Sequence, residues 1–218
     1  MIRPLLGLAG IATLAAALWW RKNPSACPYN QRFWVMAPHP VITRKRMLEI
    51  LTPGAGERVL EIGPGTGYYS IPVAEHLPGG TLAVFDIQQE MLDHVIREAE
   101  ERQITNIEPT LGDAQALPYE DGSFDAAYLV TVLGEIPDQD AALQELARVL
   151  RPGGRLVVGE LFGDPHMVTL GKLRERAAQH GLRFDRRLGT PLAYFARFGA
   201  SAQGAPAASA AAASAKST

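Results

Sequence analysis

Apolar and polar positions alternate along this chain in two rhythms that take turns. Short apolar runs, rich in β-branched and aromatic residues, recur at 58–62, 81–85, 106–111, 124–130 and 155–161. Such runs, bounded by turn residues, predict buried strands. Between them the period lengthens to that of a helix. Over 88–103, Met91, Leu92, Val95, Ile96 and Ala99 share one face, and over 138–150, Ala142, Leu143, Leu146, Val149 and Leu150 do the same. Asp138 stands where the second helix needs a cap, and Pro152-Gly153-Gly154 where it must stop. Another helix is predicted over 166–180, and a shorter one carries Met47, Leu48 and Leu51 after the solvated Arg44-Lys45-Arg46. A final strand pair, 182–187 and 192–198, turns around Gly189-Thr190-Pro191. Strands that alternate with helices predict an α/β fold with a mostly parallel sheet, because a parallel connection needs a crossover.

The two ends follow neither rhythm. Residues 4–20 are continuously apolar or small, between Arg3 and the pair Arg21-Lys22. As a helix this run would reach roughly 25 Å, just short of a ~30 Å hydrocarbon core, with Trp19 and Trp20 at the interfacial level. The expectation is a membrane anchor over 1–22, with a cleaved signal peptide or a buried or interfacial helix as the alternatives. Arg21, Lys22 and Arg32 outnumber Arg3, which puts the C-terminal side in the cytoplasm. Residues 23–40 are expected to form a connector or lid, with Phe33, Trp34 and Met36 lining an entrance or packing on the domain. Residues 41–198 form the domain. The Ala- and Ser-rich stretch 199–218 lacks large apolar residues and is expected to be disordered.

At 218 residues the chain has room for one α/β domain plus these extensions. A net charge of −2, with no basic stripe, argues against a nucleic-acid partner. The single Cys27 makes no internal disulfide, and no His or Cys spacing suggests a metal site.

Candidate chemistry begins where the first strand ends. Glu61-Ile62-Gly63-Pro64-Gly65-Thr66-Gly67 is a glycine-rich turn between a strand and a helix start near Tyr68. Such a turn cradles a nucleotide, since glycines let the backbone and its N–H groups approach a ligand. The pattern is G-x-G-x-G. A dinucleotide fingerprint would place its third glycine at 68, where Tyr68 stands. Asp86 closes the second strand, where an acidic residue can take ribose hydroxyls. Gly112-Asp113-Ala114-Gln115-Ala116-Leu117-Pro118, Phe124-Asp125 and Leu150-Arg151-Pro152-Gly153-Gly154 follow in order.

With these motifs in this order, the chain resembles the class I S-adenosylmethionine-dependent methyltransferases, the group that includes the ubiquinone/menaquinone-type C-methyltransferases. The resemblance spans about residues 41–198. It implies a Rossmann-like sheet of seven strands, mostly parallel, with an antiparallel last strand, and S-adenosylmethionine as cofactor. By the same resemblance Gly63, Gly65 and Gly67 admit the methionine end. Glu61 orients the loop and the ammonium group, Asp86 with Ile87 holds the ribose, and Asp113 with Ala114 receives the adenine. Thr131-Val132-Leu133 would lie under the sulfonium. Each acid also has a structural reading: Glu61 as a loop brace, Asp86 as a helix cap, Asp113 as a turn residue.

A general base belongs beyond the C-terminal ends of the fourth and fifth strands, where ligands bind in such sheets. Glu135, Glu160, Asp164 and His166 fall there. Glu135 and His166 are the catalytic candidates, and His166 is preferred because an imidazole titrates near neutrality. Its other reading is the start of a helix after Pro165. The function expected is transfer of a methyl group to a small lipophilic acceptor, such as a quinone, lipid, thiol or phenol, by an enzyme held at a membrane. A non-catalytic membrane assembly factor that keeps the cofactor fold is the alternative. A nicotinamide oxidoreductase is opposed by Tyr68.

Overall fold

The computed structural model describes residues 24–31 and 40–201. The apolar run 4–20, the side chains of Phe33, Trp34 and Met36, and the tail beyond residue 201 lie outside the described residues. Among the described residues no helix is long and apolar enough to cross a membrane.

Seven strands form one sheet: β1 (Arg58–Ile62), β2 (Thr81–Asp86), β3 (Ile107–Leu111), β4 (Phe124–Val130), β5 (Leu150–Leu161), β6 (Leu182–Thr190) and β7 (Ala193–Ala200). Their order is β3-β2-β1-β4-β5-β7-β6. The first five strands run parallel, and β7 lies antiparallel to both β5 and β6. This is the Rossmann-like, seven-stranded arrangement that the resemblance implied. Among the described residues five α-helices flank it: α1 (Arg44–Leu51), α2 (Ser70–Glu75), α3 (Gln89–Glu101), α4 (Gln139–Val149) and α5 (Leu170–Gln179).

Successive residues of a strand point to opposite faces, so each buried strand feeds two cores. Leu60, Ile62, Phe85, Leu129 and Val158 join the apolar faces of α4 and α5 on one side. Val59, Leu82, Val84, Tyr128 and Val157 join α1, α2 and α3 on the other. The predicted helix faces are the buried ones: Met91, Leu92, Val95 and Ala99 of α3, and Ala142, Leu143, Leu146 and Val149 of α4. Ile96 is half-buried. Asp138 caps α4 as expected, its Oδ1 accepting from the Asp140 and Ala141 N–H groups at 3.1 and 3.0 Å.

Three boundaries differ from the expectation. Helix α4 stops at Val149 and the chain passes straight into β5 at Leu150, so Pro152-Gly153-Gly154 lies in the irregular start of a strand. Leu150 pairs with Phe124, and the register then shifts before Ala126 meets Arg155. Helix α2 begins at Ser70, after Tyr68 and Tyr69. Tyr69 donates to the Ile42 carbonyl at 2.5 Å, and the Arg44 guanidinium lies 4.1 Å over the Tyr68 ring. Helix α5 begins at Leu170, four residues late. The Val168 backbone is pinned on both sides, its N–H to Glu160 at 3.1 Å and its carbonyl by the Tyr194 hydroxyl at 2.6 Å. These side chains replace helical bonds there.

Strand order reverses at β1, which has β2 on one side and β4 on the other. Chains leaving the C-terminal ends of β1 and β4 therefore diverge, and they open a crevice at that point.

Candidate functional site

The crevice holds a cavity of about 290 Å³. Its walls come from four places: the β1–α2 glycine turn, the end of β2 with the start of α3, the loop after β3, and the segment after β4. Residues 25–27 complete it from a fifth direction.

In the glycine turn, Gly63, Gly65 and Gly67 all have positive φ, at 66°, 56° and 80°. A side chain is strained in that region, and a Cβ on Gly63 would also collide with the Val132 side chain. Gly63 and Gly65 line the cavity, while Gly67 faces Val95 and Ile71 beneath the turn. Glu61 is 2% exposed and does not line the cavity. It lies under the turn, where burial lifts its carboxyl to about 7 against the pull of the Ser70 and Tyr128 hydroxyls. Its position is that of a brace for the loop.

Asp86 ends β2 and lines the cavity. Its Oδ1 accepts from the Gln88 N–H at 2.8 Å. A carboxylate has about four acceptor positions, so capacity remains for hydroxyl donors. Burial raises its pKa to about 6, and the Gln88 and Ile87 N–H groups pull the other way. Ile87 beside it is an apolar side chain left 59% exposed, on the cavity wall. Ala114 is buried and also lines the wall. Asp113 reaches the cavity as well, yet its two oxygens hold the Gln115 side-chain amide at 2.8–2.9 Å and its Oδ1 accepts the Gln115 N–H at 2.9 Å. It is a turn aspartate at the cavity edge.

The other end of the cavity follows β4. Val130, Thr131, Val132, Ile136 and Pro137 make it apolar. Thr131 holds φ at 55°, a conformation a β-branched residue rarely adopts. Such strain persists where the surroundings enforce it, often at working sites. Here the Thr131 N–H is held by the Gly159 carbonyl at 2.8 Å.

The two catalytic candidates part company. Glu135 lines the cavity. Burial raises its carboxyl to about 7; the Cys27 N–H opposes this, and Asp164 and Asp86 add to the rise. His166 is absent from the wall. Its backbone presses on Gly134 so closely that a Cβ there would collide with the His166 carbonyl. Its N–H donates to Asp164 Oδ1 at 2.8 Å. Glu160 is fully buried behind this region, its carboxyl raised well above the usual range by burial, then by Asp164 and Glu135. Of the two candidates, only Glu135 lies on the cavity wall.

Sequence reasoning missed two contributors. Ser25, Ala26 and Cys27 form part of the wall, and Gln88 bonds to that segment. Cys27 carries a thiol whose pKa is raised by burial first, then by Glu135 and Asp164, so it stays neutral. A lid over 23–40 was expected, but nothing in the local pattern said which residues would reach the cavity.

Residues 59–154 match the family described as a methyltransferase domain. A demethylmenaquinone methyltransferase of Thermus thermophilus is 38% identical over 122 residues, which are 56% of this chain and 55% of that protein. A nocamycin O-methyltransferase of Saccharothrix syringae is 32% identical over 165 residues, 74% of this chain and 59% of the relative. The chain thus spans little more than half the length of these relatives, and their names specify different acceptors. Among solved structures, an S-adenosylmethionine-dependent methyltransferase from Aquifex aeolicus superposes with a TM-score of 0.72 at 17% identity, covering 80% of this chain and 98% of the other. At that identity the likeness speaks for the fold.

Proposed function

We propose that this chain, which carries a class I S-adenosylmethionine-dependent methyltransferase domain, transfers the cofactor's methyl group to a small apolar acceptor that gives up one proton to Glu135. The residues present fit the cofactor. Gly63 and Gly65 leave backbone room for its amino-acid end. Asp86 has acceptor capacity for a ribose diol, and Ile87 and Ala114 line the same cavity.

When bound, S-adenosylmethionine supplies an electrophilic methyl group on a sulfonium. The chain's part is alignment, exclusion of water and removal of a proton. Val130, Val132, Ile136 and Pro137 favour an apolar acceptor body. Residues 25–27 close the cavity against solvent. Glu135 accepts the acceptor's proton as the new bond to carbon forms and the carbon–sulfur bond breaks, leaving S-adenosylhomocysteine.

A single observation carries this reading: a carboxyl on the apolar side of the cavity, with a pKa raised to about 7 by burial. A base titrating there is half-ionised near neutrality, which suits it to a hydroquinone, phenol or thiol. We further propose that residues 4–20 hold the enzyme at a membrane with its domain on the cytoplasmic side, so that a lipophilic acceptor arrives from the lipid. The support is the sequence: an apolar run followed by Arg21, Lys22 and Arg32.

One assay tests both parts. Membrane and soluble fractions from cells expressing the full chain are given methyl-labelled cofactor and apolar hydroquinones, phenols or thiols. Transfer is expected in the membrane fraction. Glu135→Gln keeps an oxygen for the Cys27 N–H and should lower turnover by about 10²–10⁴-fold with cofactor affinity within about twofold. Full turnover by Glu135→Gln would remove the base from the account. Activity wholly in the soluble fraction would remove the anchor.

A further inference from the structure

The N-cap position of α3 is Gln88, and its side chain makes no cap bond. Glutamine is a poor cap, and Ser, Asp or Asn is what that position ordinarily takes. The amide is used elsewhere. Its Nε2 donates to the Cys27 carbonyl at 3.0 Å, and its Oε1 accepts from the Tyr29 N–H at 3.1 Å. A carbonyl and the N–H two residues on are the pair that an adjacent strand would satisfy. Gln88 therefore acts as a one-residue strand partner for residues 27–29. On the opposite side the Cys27 N–H donates to Glu135 Oε2 at 3.2 Å. The Tyr29 hydroxyl meets His94 Nδ1 at 3.3 Å, nearly two turns along α3 from the latch.

Residues 24–31 are thus a strap across the cavity. Side chains from both banks hold it, Gln88 and His94 from α3 and Glu135 from the segment after β4. Ser25, Pro28 and Asn30 of the strap are exposed. The latch also touches the cofactor side directly, since the Gln88 N–H donates to Asp86 Oδ1 at 2.8 Å.

We propose that Gln88 is a positioning residue that latches this strap over the bound cofactor, so that cofactor release requires the strap to open. The proposal rests on the cofactor site described above. It follows that whatever closes the strap slows release, and a bound cofactor favours the closed strap in return. The function of Gln88 lies in its reach. A shorter residue caps α3 and lets the strap go.

The test uses the full chain and S-adenosylhomocysteine, which occupies the site without reacting. Gln88→Ser gives α3 a normal cap, so the unliganded melting temperature should hold or rise. Release of S-adenosylhomocysteine should speed up about tenfold, the scale of two lost hydrogen bonds. Amide exchange at Cys27 and Tyr29 should accelerate with or without ligand. A release rate within about twofold of the parent, or unchanged exchange at those amides, overturns the latch. A lower melting temperature with exchange at the Cys27 and Tyr29 amides unchanged would likewise overturn it by assigning Gln88 a purely structural part. A parent chain that binds no S-adenosylhomocysteine overturns the cofactor reading instead, and the exchange measurement shows that result apart from the latch.

Discussion

Asp86 shows how one residue couples burial to ligand binding. It is 8% exposed, and burial raises its pKa to about 6. A diol donates best to the ionised carboxylate, so binding favours the charged form. Affinity for S-adenosylhomocysteine should therefore climb as pH rises through about 6 and level off above. Below that it should weaken by up to about tenfold per pH unit. In the unliganded chain the sign is opposite. A raised carboxyl pKa contributes stability that is present below the unfolded value and is lost as pH rises through 6. Calorimetric titrations across the range show the first effect, and a flat profile would mean that Asp86 does not face the ligand. Asp86, Ile87, Ala114 and the cavity-facing glycines were legible from sequence because strand, turn and acid are close neighbours in the chain. Gln88 was not legible. Its partners, Cys27 and Tyr29, lie about sixty residues away, and a glutamine at a helix start carries no local signal. Glu61 was legible as important, but its depth beneath the turn was not.

Among the elements, the join of α1 to the sheet depends on a buried ion pair. The Arg155 guanidinium meets Glu57 through Nη1–Oε1 at 2.9 Å and Nη2–Oε2 at 2.5 Å. It also donates to the Leu51 and Thr52 carbonyls at the C-terminal end of α1. The two side chains are 10% and 18% exposed, so water screens the pair little. The planar fork satisfies four acceptors at once, which an ammonium cannot do. Arg155→Lys should cost roughly 2–4 kcal/mol of unfolding free energy, read from the denaturant midpoint. A change under about 0.5 kcal/mol would show that the pair does not hold α1 to β5. At this scale most strands and helix faces were legible, since period and burial agree. The start of α5 was not, because Glu160 and Tyr194 override the local helical pattern at Val168. Nor was the start of β5, where pairing of Leu150 with Phe124 overrides the Pro-Gly-Gly signal.

The whole molecule places its cavity where strand order reverses, and it divides that cavity by chemistry. The side made by β1, β2 and β3 offers backbone and carboxyl groups, and the side after β4 offers apolar walls with one carboxyl. That division is what a reaction between a polar cofactor and an apolar acceptor requires. The family match over residues 59–154 covers the cofactor side and most of the acceptor wall, while the strap at 24–31 lies outside it. The account stands first on the cofactor. The direct test is calorimetric titration of the full chain with S-adenosylhomocysteine and, separately, NADH. Binding of S-adenosylhomocysteine in the micromolar range, lost in Asp86→Ala, with no heat from NADH, is the expected result. Binding of NADH, or no binding of S-adenosylhomocysteine, would contradict it.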